Sequence, residues 1–176
     1  MRRVSVNATR RRREVKEKID YNGLKFELTW SDQTNFEKLK NVSQAYGVLF
    51  NKKGEILIIS TDEGNHWGLP GGTPEKYDKN FEETLIREIS EEGDVEVENV
   101  IRLGFQNVSS LDKSIPDKQQ LRYFGKIKKI NKQTIDPAYN KILLRKFVKP
   151  EKFIQETGWG KIAEYVISRS VKLFYQ

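Results

Sequence analysis

The sequence predicts an α/β domain, and three observations carry that expectation. Apolar runs of strand-like composition recur from residue 24 to residue 148, one with strict period-two alternation. A capped helix interrupts them near residue 81, and an amphipathic helix follows them near residue 160. The 176 residues, 36% of them hydrophobic, suffice for one well-packed core. We therefore expect one domain over residues 21–176 behind a basic, flexible arm over residues 1–20.

The elements follow in order. Leu24–Trp30 alternates apolar and polar residues as a half-buried strand does. The runs 45–50 and 55–60 flank Asn51-Lys52-Lys53-Gly54, a turn whose glycine can take positive φ, so they form a hairpin. His66-Trp67-Gly-Leu-Pro-Gly-Gly can be neither helix nor central strand and is a loop. Asn80 is a good N-cap, with Glu83 three residues later, for a helix over 81–92. Strands are expected over 96–107, 119–130 and 141–148, then a helix over 159–174. In that last helix Ile162, Ala163, Val166, Ile167, Val171, Leu173 and Phe174 form a core stripe that includes Trp159.

Composition excludes several chemistries. Without cysteine there is no disulfide, thiolate metal site or cysteine nucleophile, and His66 alone cannot make a two-histidine site. That leaves 25 carboxylates as the available metal ligands and acid–base groups. No apolar run approaches a membrane span. The N-terminus lacks the apolar region of a secretory signal, so a cytoplasmic protein with no membrane partner is expected. The net charge of +7 is segregated: residues 1–18 carry +6, residues 19–112 carry −9 and residues 113–176 carry +10. The run Arg10–Arg13 is a solvated arm or a contact for nucleic acid.

The 81–92 helix has an unusual face. At about 100° per residue, Phe81, Leu85, Ile89 and Ile86 define its buried stripe. Glu92 falls within that stripe and Glu88 and Glu91 lie beside its edge, neighbours at i, i+3 and i+4. Like charges so placed repel, and Glu91 and Glu92 also oppose the helix dipole in the last turn. Arg87 can offset only part of this. A hard divalent ion such as Mg²⁺, which accepts oxygen ligands and substrate phosphates, would resolve the conflict. The competing reading is a solvated acidic face closed by the basic C-terminal third.

Gly-Gly-Thr-Pro-Glu at 71–75, followed by Glu-Glu-Thr-Leu-Ile-Arg-Glu-Ile-Ser-Glu-Glu at 82–92, resembles the Nudix box, G-x5-E-x7-R-E-U-x-E-E-x-G-U with U aliphatic. The lead-in from residue 45 to Trp67-Gly-Leu-Pro-Gly-Gly is also similar to the family's. The resemblance implies a Nudix-like α/β/α sandwich around a mixed β-sheet. It implies a pyrophosphohydrolase that uses Mg²⁺ or Mn²⁺ to cleave the diphosphate linkage of a nucleoside diphosphate joined to another group. Carried over by position, Gly71 (through its carbonyl), Glu88, Glu91 and Glu92 would be metal ligands. One glutamate would act as base, the catalytic set would be Arg87, Glu88 and Glu91, and Arg87 would hold a glutamate by a salt bridge.

Counted back from Arg87, the family's supporting glutamate falls on Lys79, and the spacing from Gly-Gly to Arg is one residue too long. The glycine after the paired glutamates falls on Asp94, a residue that tolerates the left-handed conformation of a helix end. Substrate phosphates would draw on Arg122, Lys126 or Arg145, and an additional acid on Asp112, Asp117 or Asp136. His66 is expected to be structural. The competing functions are a non-catalytic nucleotide- or RNA-binding module and a hydrolase of RNA 5′ ends.

Overall fold

A computed structural model describes residues 15–176. The Arg10–Arg13 run and the rest of the expected arm to residue 14 lie outside the described residues. The chain runs β1 (Lys16–Tyr21), β2 (Leu24–Ser31), β3 (Val42–Phe50), β4 (Ile56–Ser60), β5 (Gly71–Gly72), α1 (Phe81–Gly93), β6 (Val95–Ser110), β7 (Lys118–Ile130), β8 (Leu144–Val148), α2 (Phe153–Thr157) and α3 (Lys161–Phe174). Residues 16–20, assigned by sequence to the arm, are instead β1, antiparallel to β2 from Lys16↔Thr29 to Tyr21↔Leu24. Its mixture of Lys, Glu and Asp carries no apolar alternation, because most of its side chains stay exposed at the sheet edge.

One sheet joins these strands in the order β1-β2-β6-β7-β3-β4-β8, with β5 pairing β3. It is mixed: β3 and β7 run parallel, whereas the other neighbours are antiparallel. The hairpin expected at 51–54 is present, closed by Asn51 and Glu55 and turned at Gly54 with φ +77. Alternation then sorts the core. Leu49, Leu57, Leu121 and Tyr123 face α1 through Leu85 and Ile89. Val48, Phe50, Ile56, Ile58 and Phe124 face α3 through Ile162, Val166 and Ile167. Helices on both faces of a mixed sheet make the expected α/β/α sandwich. Leu103 and Phe105 break the alternation and enter opposite clusters, because the register shifts between Arg102 and Gly104. Gly104 has φ +145, and a Cβ there would strike the Ser31 carbonyl.

Two sequence expectations on the helices change. Ile86, placed in the α1 stripe, is exposed, and Glu92 occupies the buried side instead. The last helix begins at Lys161 rather than at 159, since Gly158 ends α2 in the left-handed region and Gly160 opens α3. Trp159 between them packs edge-on against Phe153. No helix among the described residues is long and apolar enough to cross a membrane.

Gly160 offers no side-chain cap, and β1 supplies one from far away in sequence: the Glu17 carboxylate accepts the N–H groups of Lys161 (2.7 Å) and Ile162 (3.4 Å). A Cβ on residue 160 would overlap that carboxylate. Glu17→Ala is therefore expected to cost about 1 kcal/mol of stability, read as a lower urea midpoint. Gly160→Ala should cost a similar amount by displacing the same cap, and an unchanged midpoint in both variants would refute the assignment.

Candidate active site

The site begins in the backbone of the β4–α1 connection. Gly71 sits at φ +141 against β3, where a Cβ would collide with the Ala45 carbonyl. Its N–H donates to Glu92 Oε2 at 2.8 Å. Gly72 lacks the Cβ that would occupy the space of the Glu88 carboxyl group. The double glycine thus lets one main chain lie against both β3 and the acid face of α1.

α1 starts where expected. Asn80 Oδ1 accepts the N–H groups of Glu82 and Glu83, and the Glu83 carboxylate reaches back to the N–H of Lys79. Midway along the helix, Arg87 gathers the acids. Its Nη1 donates to Glu88 Oε1 (2.9 Å) and Glu91 Oε2 (3.1 Å), and its Nη2 to the Thr73 carbonyl (3.1 Å). Its Nε and Nη2 hold the two oxygens of Asp78 at 3.1 and 3.0 Å, a bidentate pair. Arg87 therefore binds together two of the three glutamates expected to hold a metal.

Asp78 is the residue that sequence reasoning missed. Lys79, assigned the supporting-glutamate position, is exposed and among the described residues pairs only with Glu83. Asp78 is half-buried with its side chain largely covered, and it also accepts Thr84 Oγ1 and the Glu75 N–H. The Arg87 hydrogen bonds pull its carboxyl group down to a pKa of about 2. Counted forward from Gly72, five residues intervene before Asp78, so the long spacing was the available signal. The extra residue lies between Asp78 and Arg87, and the fold absorbs it at the start of α1.

Asp94 is likewise a structural tie. It ends α1 at φ 49, and its carboxylate accepts the N–H (3.1 Å) and Oγ1 (2.7 Å) of Thr134. This ties the end of α1 to the β7–β8 loop, which carries Asp136. Of the three candidate later acids, only Asp136 lines the cavity of about 360 Å³ beside Glu75, Arg87, Glu88, Glu91 and Glu92. Asp112 instead caps the turn at Ser110 and Ser114, and Asp117 pairs with Lys113. The Asp136 side chain is held by the N–H groups of Ala138 and Tyr139.

Electrostatically the cavity has surplus negative charge. Burial pushes Glu92 up to a pKa of about 8, against the Gly71 hydrogen bond, and Glu88, Asp136 and Glu91 add to the rise. Glu88 is also raised, chiefly by burial and against Arg87. Five carboxylates against one arginine fit a divalent cation bound by oxygen. Among the described residues no group of three such side chains is already assembled at metal-ligand spacing, and Arg87 engages two of the candidates.

The basic candidates separate. Arg145 caps the end of α1, donating to the carbonyls of Gly93, Asp94 and Asn131. Lys126 lies over the Phe174 ring. Neither lines the acidic cavity or the larger one of about 1120 Å³ on the α3 side of the sheet. Arg122 does line the larger cavity, as do Tyr46, Trp67 and Trp159. His66 bonds the Asp62 carboxylate at that cavity's rim, which lowers Asp62 to about 2.

A sequence model of the NUDIX domain matches residues 40–168. No curated protein sequence matches the chain. Among solved structures, a point mutant of the Bacillus subtilis pyrophosphohydrolase BsRppH is similar at 20% identity and a TM-score of 0.64. That match covers 93% of this chain and 96% of the other. A binary complex of the C. elegans Ap4A hydrolase is similar at 15% identity and a TM-score of 0.53, over 76% and 99% of the two chains. The mutator MutT protein of Bacillus halodurans is similar at 15% and 0.53, over 73% and 80%. At these identities the structural likeness speaks for the fold, whereas the sequence match spans most of the chain and includes the entire acid helix. The chain belongs to the NUDIX domain family.

Proposed function

We propose that this NUDIX-family enzyme hydrolyses the diphosphate linkage of a nucleoside diphosphate joined to a further group, with Mg²⁺ or Mn²⁺ bound at the acid face of α1. The observation that supports this reading is the surplus of carboxylates around the cavity at Glu88, Glu91, Glu92 and Asp136. Glu88, Glu91, Glu92 and the Gly71 carbonyl would hold the ion. A bound divalent cation would neutralise phosphate oxygens and lower the pKa of water.

The chain's own groups do the positioning. Arg87 keeps Glu88 and Glu91 on one side of the cavity and anchors the Thr73 carbonyl. The Gly71 N–H orients Glu92. A carboxylate of the cluster takes the proton of the attacking water, and Asp136 faces the cavity from a separate loop for that role. A second reading is hydrolysis at an RNA 5′ end, where the same diphosphate chemistry would act on a larger leaving group. Phosphate release from nucleoside triphosphates, ADP-ribose, nucleotide sugars, dinucleoside polyphosphates and 5′-triphosphorylated RNA, with each metal, separates the two.

Glu91→Gln and Glu92→Gln should each cut turnover by orders of magnitude while the protein remains folded; retained activity in both would remove the metal assignment. Asp78→Asn should also lower turnover, whereas Lys79→Ala should leave it near wild type. Opposite results would restore Lys79 as the family position.

Metal binding to the native state should raise the melting temperature in millimolar Mg²⁺ or Mn²⁺. An unmoved value in both ions would favour a solvated acidic face. In chelator, folded Glu92 keeps its proton to about pH 8 whereas the unfolded group releases it near 4.5. The folded state therefore binds more protons across that window, and its stability should fall as pH rises from about 4.5 to 8. Glu92→Gln should flatten this dependence, measured by melts across the same pH range.

A further inference from the structure

Arg122, on β7, is only 5% exposed and has no carboxylate partner among the described residues. Burial lowers its pKa to about 10, which still leaves it charged at neutral pH. Its Nη1 donates to the Leu121 carbonyl and its Nη2 to Gln120 Oε1, so two of its five N–H groups are used. The guanidinium lies over the rings of Tyr46 (4.6 Å) and Trp159 (5.7 Å). A cation buried in this way, with donors to spare and a cavity beside it, calls for an acceptor from outside the chain.

Its neighbours narrow what that acceptor is. Gln44, Gln120 and Gln106 form a row across β3, β7 and β6 on the α3 face. Arg122 can only donate, so the Gln120 atom facing it is oxygen. Gln120 then turns its amide nitrogen to Gln44 Oε1 (2.7 Å), and Gln106 Nε2 donates to the same Gln120 oxygen (3.2 Å). The polarity of the row follows from the arginine. It leaves the Gln44 amide nitrogen as a donor at one end and the Gln106 oxygen as an acceptor at the other. All four residues line the large cavity, whose other walls include the apolar Leu28, Val166 and Ile167.

Apolar walls around a row of neutral amides suit a flat heterocycle better than a phosphate. Unused donors on Arg122 and Gln44 match the O6 and N7 acceptors of a 6-oxopurine, and the Gln106 oxygen matches its N1–H. A 6-aminopurine keeps N7 but turns an amino group towards the donors in place of O6 and has no N1–H for the Gln106 oxygen. Thr73 lines this cavity and offers its carbonyl to Arg87, so the cavity adjoins the acid helix. We propose that this cavity binds the nucleotide's base, with Arg122 and Gln106 selecting a 6-oxopurine over a 6-aminopurine. The proposal rests on the reading of the substrate as a nucleotide and deepens it.

The test is calorimetric binding of the non-hydrolysable α,β-methylene diphosphates of guanosine, inosine and adenosine, with Mg²⁺ present. Wild-type protein should bind the guanosine and inosine analogues about tenfold or more tighter than the adenosine analogue. Arg122→Met and Gln106→Leu should each remove most of that preference while adenosine-analogue affinity changes little. Melting curves establish that the variants fold, and Arg122→Lys, which keeps the charge without the fork, should lose the preference as well. Equal affinities in the wild type, no binding, or a preference that survives the variants would overturn the proposal. A uniform loss for all three analogues in Arg122→Met would also overturn it, because Arg122 would then serve the phosphates. Intact base preference without hydrolysis of any nucleotide would instead refute the proposed activity and leave the base site standing.

Discussion

Five hydrogen bonds converge on the guanidinium of Arg87, and the geometry of the acidic cavity follows from them. One side of the fork takes Asp78 in bidentate fashion; the other reaches Glu88 and Glu91, and a fifth bond anchors the Thr73 carbonyl. A planar, permanently charged group with donors in a fixed fork can hold acids from a helix and a loop at once, whereas a lysine ammonium cannot set their directions. The cost of collecting like charges on one helical face is thereby reduced in the free protein. What remains is concentrated on Glu92, which a main-chain amide holds and which burial keeps weakly acidic.

The sheet connects this cluster to the rest of the molecule. β3 carries Ala45 against Gly72, and Tyr46 against Gly71 on one side and Arg122 on the other, so one strand borders both the glycine loop and the large cavity. The two faces of the sheet have different tasks: α1 brings the acids to one, and α3 walls a cavity on the other. The tight passage at Gly71 is where the two meet. Any side chain there would force the loop away from β3 and take the Glu92 hydrogen bond with it.

Departures from the family pattern prove to be substitutions of supporting structure. Asp78 pairs with Arg87 where the family pattern, counted back from the arginine, points one position later, because the extra residue lies between the two. Asp94 replaces a glycine yet takes the same left-handed conformation, and its carboxylate adds a tie to Thr134 that a glycine could not make. The basic C-terminal third, which invited a phosphate-binding reading, is spent differently. Arg145 closes the α1 carbonyls, Lys126 covers an aromatic ring, and Arg169 joins Asp32 in a half-buried pair.

Local physics made much of this molecule legible in advance. Alternation marked β2, the turn at Asn51–Gly54 marked the hairpin, Asn80 marked the start of α1, and the helical period placed Glu88, Glu91 and Glu92 together. Each of these depends on neighbours a few residues away. β1 escaped notice because an exposed edge strand has no apolar pattern, and its role in capping α3 depends on a contact across 144 residues. The choice of Asp136 among three aspartates, the demotion of Lys126 and Arg145, and the row of glutamines beside Arg122 were all decided by tertiary structure. Hydrogen-bond partners far apart in sequence are set by strand order and register. The sequence alone determined which residue types could do the chemistry, and the fold decided which of them meet.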